Sequence, residues 1–293
     1  MQGLIIENIS NLYRIKSGNK IYEATPRGKL KKEDISPVVG DKVEISILDE
    51  NEKKAVIEEI LPRENYIKRP KMSNLEQIVL VISCKNPKPD LLLLDKQLAF
   101  AEFLKIKSII VLNKADLDKK KEFEQIKEVY SKIGYTVIET EAKNLKGIQE
   151  LKKMLKNNIN AFSGNSGVGK STLINAIFEE KQTLEGEISQ RNKRGKNTTT
   201  SIKLYEIDEN TYIADTPGFS TFDISEIQYT ELDKYFKEFK AEIENCEFVG
   251  CTHIKEQNCG IKQAIENGKI NQSRYDRYCK IYEELKEKEK RKW

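Results

Sequence analysis

Gly164-Asn165-Ser166-Gly167-Val168-Gly169-Lys170-Ser171, followed by Thr172, spells G-x-x-x-x-G-K-[ST] in full. Glycines in such a loop let successive backbone N–H groups turn inward and cradle phosphate oxygens. Lys170 then reaches the β- and γ-phosphates, and the Ser171 hydroxyl sits on Mg²⁺. A second stretch able to do chemistry is Asn113-Lys114-Ala115-Asp116, an N-K-x-D. Its aspartate can accept two hydrogen bonds from the ring N–H and exocyclic amine of guanine. Adenine presents an acceptor and no amine there, which would leave the carboxylate unpaired. Asn113 is expected at the other edge of the base and Lys114 along its face. Alone in a lysine-rich chain the tetrapeptide says little. At the end of an apolar run, in a chain that also has a phosphate loop, it says guanine.

Four further stretches complete the list. In Glu141-Ala142-Lys143, Ala142 and Lys143 match the Ser-Ala-Lys whose backbone often touches guanine, with Glu141 in place of the serine. Asp215-Thr216-Pro217-Gly218 is expected to hold a Mg²⁺-bound water through Asp215 and to sense the γ-phosphate through the Gly218 N–H. Upstream lies Asn197-Thr198-Thr199-Thr200, where a threonine such as Thr199 can complete the Mg²⁺ shell. Finally, Cys246, Cys251, His253 and Cys259 fall within fourteen residues and include the only histidine of the chain. Three thiolates and an imidazole make a closed tetrahedral Zn²⁺ shell of the structural kind, with no open position for catalysis. The bland alternative is a chance cluster of buried thiols. Cys84 and Cys279 read as packing residues.

The elements that must position these groups are legible in outline. Ile159 to Phe162 reads as a strand into the phosphate loop, and Thr172 to Phe178 as the helix whose N-terminus favours anions. Gln77 to Ile82 and Ser108 to Leu112 are continuous apolar runs, as in buried parallel strands. Helices are expected over Leu91 to Leu104, Lys119 to Lys132 and Gly147 to Leu155, with a strand over Thr136 to Ile138. Ile202 to Ile207 and Thr211 to Ala214 form a strand pair after a Gly/Arg/Lys-rich stretch, residues 183–196, expected to be mobile. Five short β-runs fill the first sixty-odd residues: Leu4 to Ile9, Leu12 to Ile15, Ile21 to Ala24, Asp41 to Leu48 and Ala55 to Leu61. They suggest a small closed barrel, of which the OB-fold is the common design. In the fourth, Val43, Ile45 and Ile47 alternate with polar residues. Arg27, Lys29, Lys31 and Lys32 share one loop that could track RNA or simply be solvated. Pro62 to Pro70 reads as a linker. Glu231 to Ile243, Ile261 to Glu266 and Ser273 to Lys286 read as helices, with Tyr275, Tyr278, Tyr282 and Leu285 on one packing face. The expected domains are residues 1–64, 65–222 and 223–293.

At 293 residues the chain has room for two or three domains, and its 38% hydrophobic content suffices for their cores. A net charge of +4 is too small and too dispersed to identify a nucleic-acid partner. Met1 to Ile9 lacks the basic start and long apolar core of a signal peptide, and no run approaches a membrane span. A cytoplasmic monomer is expected, its five cysteines in a reducing compartment.

The order of the motifs is unusual. Asn113 to Asp116 precedes Gly164 to Ser171, whereas ordinary GTPases place the phosphate loop first, so the domain is read as circularly permuted. A β-barrel, a permuted α/β P-loop GTPase domain and a C-x4-C-x-H-x5-C site in that order resemble the bacterial ribosome small-subunit-dependent GTPase family (RsgA, also called YjeQ) over essentially the whole chain. The resemblance implies an OB-fold, a permuted G domain and a helical zinc domain. It also implies binding to the 30S subunit and its 16S rRNA, a late role in 30S maturation, and GTP hydrolysis to GDP stimulated by the subunit. One departure stands out. The family usually has Gly-Arg-His-Thr-Thr before the second strand, and here Asn197 occupies the histidine position. Phe219 stands where many GTPases carry a water-orienting glutamine. Slow intrinsic turnover is expected. Three other readings remain: a switch in which hydrolysis is incidental, a P-loop ATPase with an accidental N-K-x-D, and a zinc-finger DNA regulator lacking an obvious basic recognition helix.

Overall fold

The computed structural model describes residues 1–28, 36–185, 202–215 and 224–291, with the side chains of 179–185 excepted. The strands of the N-terminal part are β1 (Gln2–Ile9), β2 (Leu12–Ser17), β3 (Lys20–Pro26), β4 (Lys42–Asp49), β5 (Lys54–Ile60), β6 (Tyr66–Lys68) and β7 (Lys71–Ser73). Then follow β8 (Gln77–Ser83), α1 (Leu91–Phe103), β9 (Lys107–Asn113), α2 (Glu122–Lys132), β10 (Thr136–Thr140), α3 (Ile148–Leu155), β11 (Ile159–Ser163) and α4 (Lys170–Glu185). The last elements are β12 (Lys203–Asp208), β13 (Thr211–Asp215), α5 (Gly260–Glu266) and α6 (Gln272–Lys290), with short 3-10 turns before α5. The chain divides into two compact units. The first holds Met1–Val79, Ala142–Ser163 and Lys170–Ser220, and the second Leu80–Glu141, Gly164–Gly169 and Thr221–Trp293.

In the first unit the five expected strands close a barrel in the order β1-β2-β3-β5-β4, with β4 returning to β1 and β3 running parallel to β5. Alternation fills it: Ile5, Tyr13, Ile15, Tyr22, Val43, Ile45 and Ile57 are buried. Ile47 differs from the alternating expectation. It is exposed, where β4 runs out through an irregular step in its pairing with β5.

The stretch Pro62 to Pro70 is a packed strap rather than a linker. Tyr66–Lys68 pairs with Lys71–Ser73, burying Ile67 and Met72. Arg63 reaches back to the buried carboxylate of Asp41 (Nε to Oδ1 2.7 Å, Nη2 to Oδ2 2.8 Å), which also accepts from Ser73 Oγ at 2.6 Å. A charge buried at the foot of β4 needs such partners; the Val38 N–H adds a third at 2.8 Å, and the strap brings the one counter-charge among them, Arg63. Beyond it, β11 runs parallel to β13, β13 antiparallel to β12, and β12 antiparallel to β1. Barrel and sheet are thus joined edge to edge, with ion pairs Lys203–Glu7 (3.0 Å) and Lys16–Glu206 across the seam.

In the second unit β8, β9 and β10 are neighbours, with β10 parallel to β9. Helix α2 starts at Glu122 rather than Lys119. The Asp118 carboxylate accepts from the backbone N–H of Glu122 (3.0 Å) and Phe123 (2.9 Å), so residues 119–121 form the approach turn. The helix expected over Glu231 to Ile243 is instead a series of 3-10 turns, Tyr229–Tyr235, Lys237–Phe239 and Ile243–Asn245, broken by an extended Phe236. Good helix formers such as Glu231, Leu232, Lys234, Glu238 and Ala241 are common in it, so local propensity is overridden here. Leu232, Phe236 and Phe239 are fully buried all the same. They share a core with Tyr278, Ile281, Tyr282 and Leu285 of α6, which confirms the tyrosine face as packing, and with Ala99 and Phe100 of α1.

Candidate nucleotide and metal sites

Two glycines show why the phosphate loop needs its residue types. Gly164 has φ +138°, and a Cβ there would lie 2.1 Å from the Val81 carbonyl oxygen. Gly169 has φ +100°, and a Cβ there would lie 2.3 Å from Asn113 Nδ2. The loop therefore presses its backbone against the ends of β8 and β9, which no side chain would allow.

Asn113 answers that close approach. It is buried, donates from Nδ2 to the Val168 carbonyl at 2.9 Å and accepts from Thr140 Oγ1 at 3.0 Å. Its amide is turned to the phosphate loop, where a contact with the base edge was expected. Lys114 sits in left-handed backbone (φ 64°) and donates to the carbonyls of Asn86 (2.6 Å) and Gly167 (2.8 Å). Asp116 stands exposed on the 3-10 turn Ala115–Leu117. The N-K pair thus tethers the 164–169 loop, while Asp116 is left exposed beside it.

Asp90 was not singled out from the sequence. One carboxylate oxygen caps α1 by accepting from the Leu93 N–H at 2.9 Å, and the other accepts from Asn165 Nδ2 of the phosphate loop at 3.2 Å. An aspartate three residues before a helical N–H is a legible N-cap signal. Its bond to Asn165 is not, since seventy-five residues separate them. Thr140 was missed for the same reason.

In the first unit, Lys170 opens α4, and burial alone pulls its ammonium below the usual lysine range. Ser171 and Thr172 are exposed in the same first turn. Pairing of Ala161 with Ala214 sets Asp215, exposed at the end of β13, level with the strand end from which the phosphate loop departs. Hydroxyl and carboxylate oxygens are the hard donors that Mg²⁺ prefers. Ala142 is buried and Lys143 exposed on the turn Ala142–Asn144. Gly218 and Phe219, with Asn197 and Thr199, lie outside the described residues. So do Lys29, Lys31 and Lys32 of the basic loop, whose Arg27 pairs with Glu58.

The second unit also gathers the four expected metal ligands. One donor atom from each of Cys246, Cys251, His253 and Cys259 lies within 4.8 Å of the others. His253 Nδ1 is 3.6 Å from Cys246 Sγ and 3.3 Å from Cys259 Sγ. Zn–S bonds of about 2.3 Å and Zn–N of about 2.0 Å in a tetrahedron put donors roughly 3.5–3.8 Å apart, so the cluster has the size to hold an ion. The imidazole is oriented from behind, with Nε2 at 3.5 Å from the Asp233 carboxylate and Tyr275 Oη donating to the His253 carbonyl at 2.6 Å. The Gly260 N–H donates to Cys246 Sγ at 3.3 Å. Burial pushes the Cys251 thiol up to about 12 and raises Cys259 as well. An ion entering such a site must displace thiol protons.

Comparison with known proteins follows the same division. The RsgA GTPase family model matches residues 60–225, and the RsgA N-terminal domain model matches residues 2–57. The small ribosomal subunit biogenesis GTPase RsgA of Caldanaerobacter subterraneus subsp. tengcongensis is 40% identical over 293 residues, covering 100% of this chain and 98% of that protein. The protein of the same name from Clostridium novyi is 42% identical, with 100% of each covered. The crystal structure of YjeQ from Thermotoga maritima superposes with a TM-score of 0.85 at 36% identity, covering 97% of this chain and 98% of that one. That of YloQ, a circularly permuted GTPase, gives 0.83 at 32% identity, covering 98% and 95%.

Proposed function

The chain belongs to the RsgA GTPase family, and from that premise we propose that it hydrolyses GTP to GDP and phosphate on the small ribosomal subunit, late in that subunit's maturation. The observation that carries this reading is the joint between motifs: Asn113 and Lys114 of the N-K-x-D hold the carbonyls of Val168 and Gly167 in the phosphate loop. A guanine on Asp116 and phosphates on the loop would then be held by two segments that hydrogen-bond each other directly. The relatives' names supply the small subunit as partner. The subunit's 16S rRNA, GTP and GDP are the ligands we assign.

In this reading Asp116 accepts from guanine, with Ala142 and Lys143 beside the base. Backbone N–H groups of Gly164 to Gly169, with Ser171 and Thr172, cradle the phosphates. Lys170 neutralises charge developing on the β- and γ-oxygens, and its burial makes that ammonium strongly felt. Ser171 and, through water, Asp215 would hold Mg²⁺, whose charge would offset that of the phosphates. Gly218 senses the γ-phosphate and Thr199 completes the Mg²⁺ shell. With Asn197 and Phe219 at the positions flanking the water, neither side chain offers a general base, and Asn197 acts by orienting that water through its amide. Turnover is then slow until the subunit supplies the missing organisation.

The Cys246–Cys251–His253–Cys259 cluster holds one structural Zn²⁺. The domains are residues 1–64 (barrel), 65–222 (G domain) and 223–293 (zinc domain), in a cytoplasmic monomer. Among the described residues no helix is long and apolar enough to cross a membrane.

The test is phosphate release by the purified protein with and without small subunits, with ATP and large subunits as controls. Strong stimulation with GTP and small subunits alone is expected. Equal slow rates throughout overturn the ribosomal part of the reading.

A further inference from the structure

The loop between the first two metal ligands is four residues long, Glu247-Phe248-Val249-Gly250. Its tip carries two large apolar side chains in water. Phe248 is 57% exposed and Val249 wholly so. Neither is a casualty of a loose loop. The thiols of Cys246 and Cys251 converge on the same donor cluster, so an ion held there would pin both ends of the tip. The Cys251 N–H bonds to the Phe248 carbonyl at 3.3 Å, and Gly250 turns the chain with φ +77° in open space. A rigid apolar knuckle loses little entropy when it docks, which is what an anchor residue in an interface requires.

The charge around it selects the partner. Over residues 241–259 four glutamates, Glu242, Glu244, Glu247 and Glu256, face Lys255 alone, for a net −3 in a chain whose total is +4. Lys269 pairs with Glu242 (2.9 Å), and Glu256 is taken up by its own loop. Glu244 and Glu247, the two beside the tip, are exposed. Nucleic-acid interfaces are strongly positive on the protein side, and a phosphate backbone would be repelled here. An apolar knob with an acidic collar fits an apolar socket with a lysine- and arginine-bearing rim.

We propose that Phe248 and Val249 anchor this chain in a basic protein of the small ribosomal subunit, the metal cluster serving to present them. This rests on the small-subunit reading above.

Two measurements test it. The double variant Phe248→Ala, Val249→Ser is compared with wild type for affinity to purified small subunits in the presence of a non-hydrolysable GTP analogue. A drop of tenfold or more is expected, with metal content and subunit-free GTP turnover unchanged. In parallel a photoreactive phenylalanine analogue at 248 is irradiated on the subunit. The expected adduct is destroyed by protease and survives ribonuclease. An adduct to RNA alone, or unaltered affinity of the double variant, overturns the proposal. Failure of the wild type itself to bind small subunits overturns the functional reading and the proposal with it. Binding by wild type and double variant alike overturns the proposal only.

Discussion

Asp95 of α1 and Arg274 of α6 are joined by a salt bridge with both side chains shut off from water. The same carboxylate takes Arg277, and it accepts from Tyr130 Oη at 2.5 Å. Arg274 in turn reaches Glu238 through Nε (2.7 Å) and Nη2 (3.0 Å) and lies over the rings of Phe236 and Tyr130. Burial works against the guanidinium's charge, and Asp95 and Glu238 more than restore it, raising Arg274 well above the usual arginine range. Helix α1, capped at its start by Asp90 with Asn165, is thus also tied to α6. Removing one partner of such a network strands the other charge. Asp95→Ala is expected to destabilise the second unit by about 3–5 kcal/mol, read in urea unfolding. Arg274→Met, which packs where the stem lies, strands Glu238 and leaves Asp95 with Arg277 and Tyr130, and is expected to cost a similar amount or somewhat less. The pair Asp95→Leu, Arg274→Met is expected to recover part of the loss.

Asp116→Asn tests the guanine assignment. The amide can no longer accept from both guanine N–H groups, and GDP affinity is expected to fall more than ~100-fold, with xanthine nucleotides gaining. Competition against a fluorescent guanine nucleotide measures it. An unchanged preference points to the ATPase reading instead.

Asn113→Ala removes the tether to Val168 and leaves a buried carbonyl without that donor. A loss of about 1–3 kcal/mol in nucleotide binding is expected. Thr140→Val is expected to give a smaller loss in the same direction, since it only loosens Asn113. Calorimetric titration with GDP reads both.

Metal removal should act locally. Cys259→Ser or a strong chelator is expected to unlock the region around Phe239, His253 and Tyr278, whose rings pack together. Near-ultraviolet dichroism should collapse in its tyrosine bands, while the barrel's slow-exchanging amides persist. Atomic emission should return one zinc per chain before treatment.

Glu256 provides a pH signature. Burial pushes its carboxyl up, yet the backbone N–H groups of Thr252, Glu256 itself and Lys255, with the Thr252 hydroxyl, hold it down at about 2 from an ordinary 4.5. A carboxylate favoured in the folded state contributes stability above its unfolded value and loses it as pH falls toward the folded one. Glu256→Gln is therefore expected to be less stable than wild type at neutral pH. The gap should narrow as pH drops from about 4.5 to 2, as followed by thermal unfolding.

The sequence was most legible where a backbone demand selects residue types. Gly164 and Gly169, the Asn113–Asp116 turn and the cysteine spacing are of that kind, and the strands leading into the first two, Lys107–Asn113 and Ile159–Ser163, lie where they were expected. Alternation found the barrel. What stayed hidden depends on partners far along the chain. Asp41 needs Arg63 and Ser73, so the strap looked like a linker. Asp90 needs Asn165, and Asp95 needs Arg274. The 3-10 turns over residues 229–245 bury Leu232, Phe236 and Phe239, positions four and three apart that an α-helix would bury equally well.

Strand β1 divides one of its edges between two partners, Gln2–Leu4 facing β4 and Glu7 facing β12. The barrel is therefore also the guard on the open side of the nucleotide-binding sheet. A version shortened to begin after the barrel would present β12 as a naked edge, a template for pairing with a second copy. Such a truncation should be prone to aggregate, so the N-terminal region shields the sheet that follows it from self-pairing.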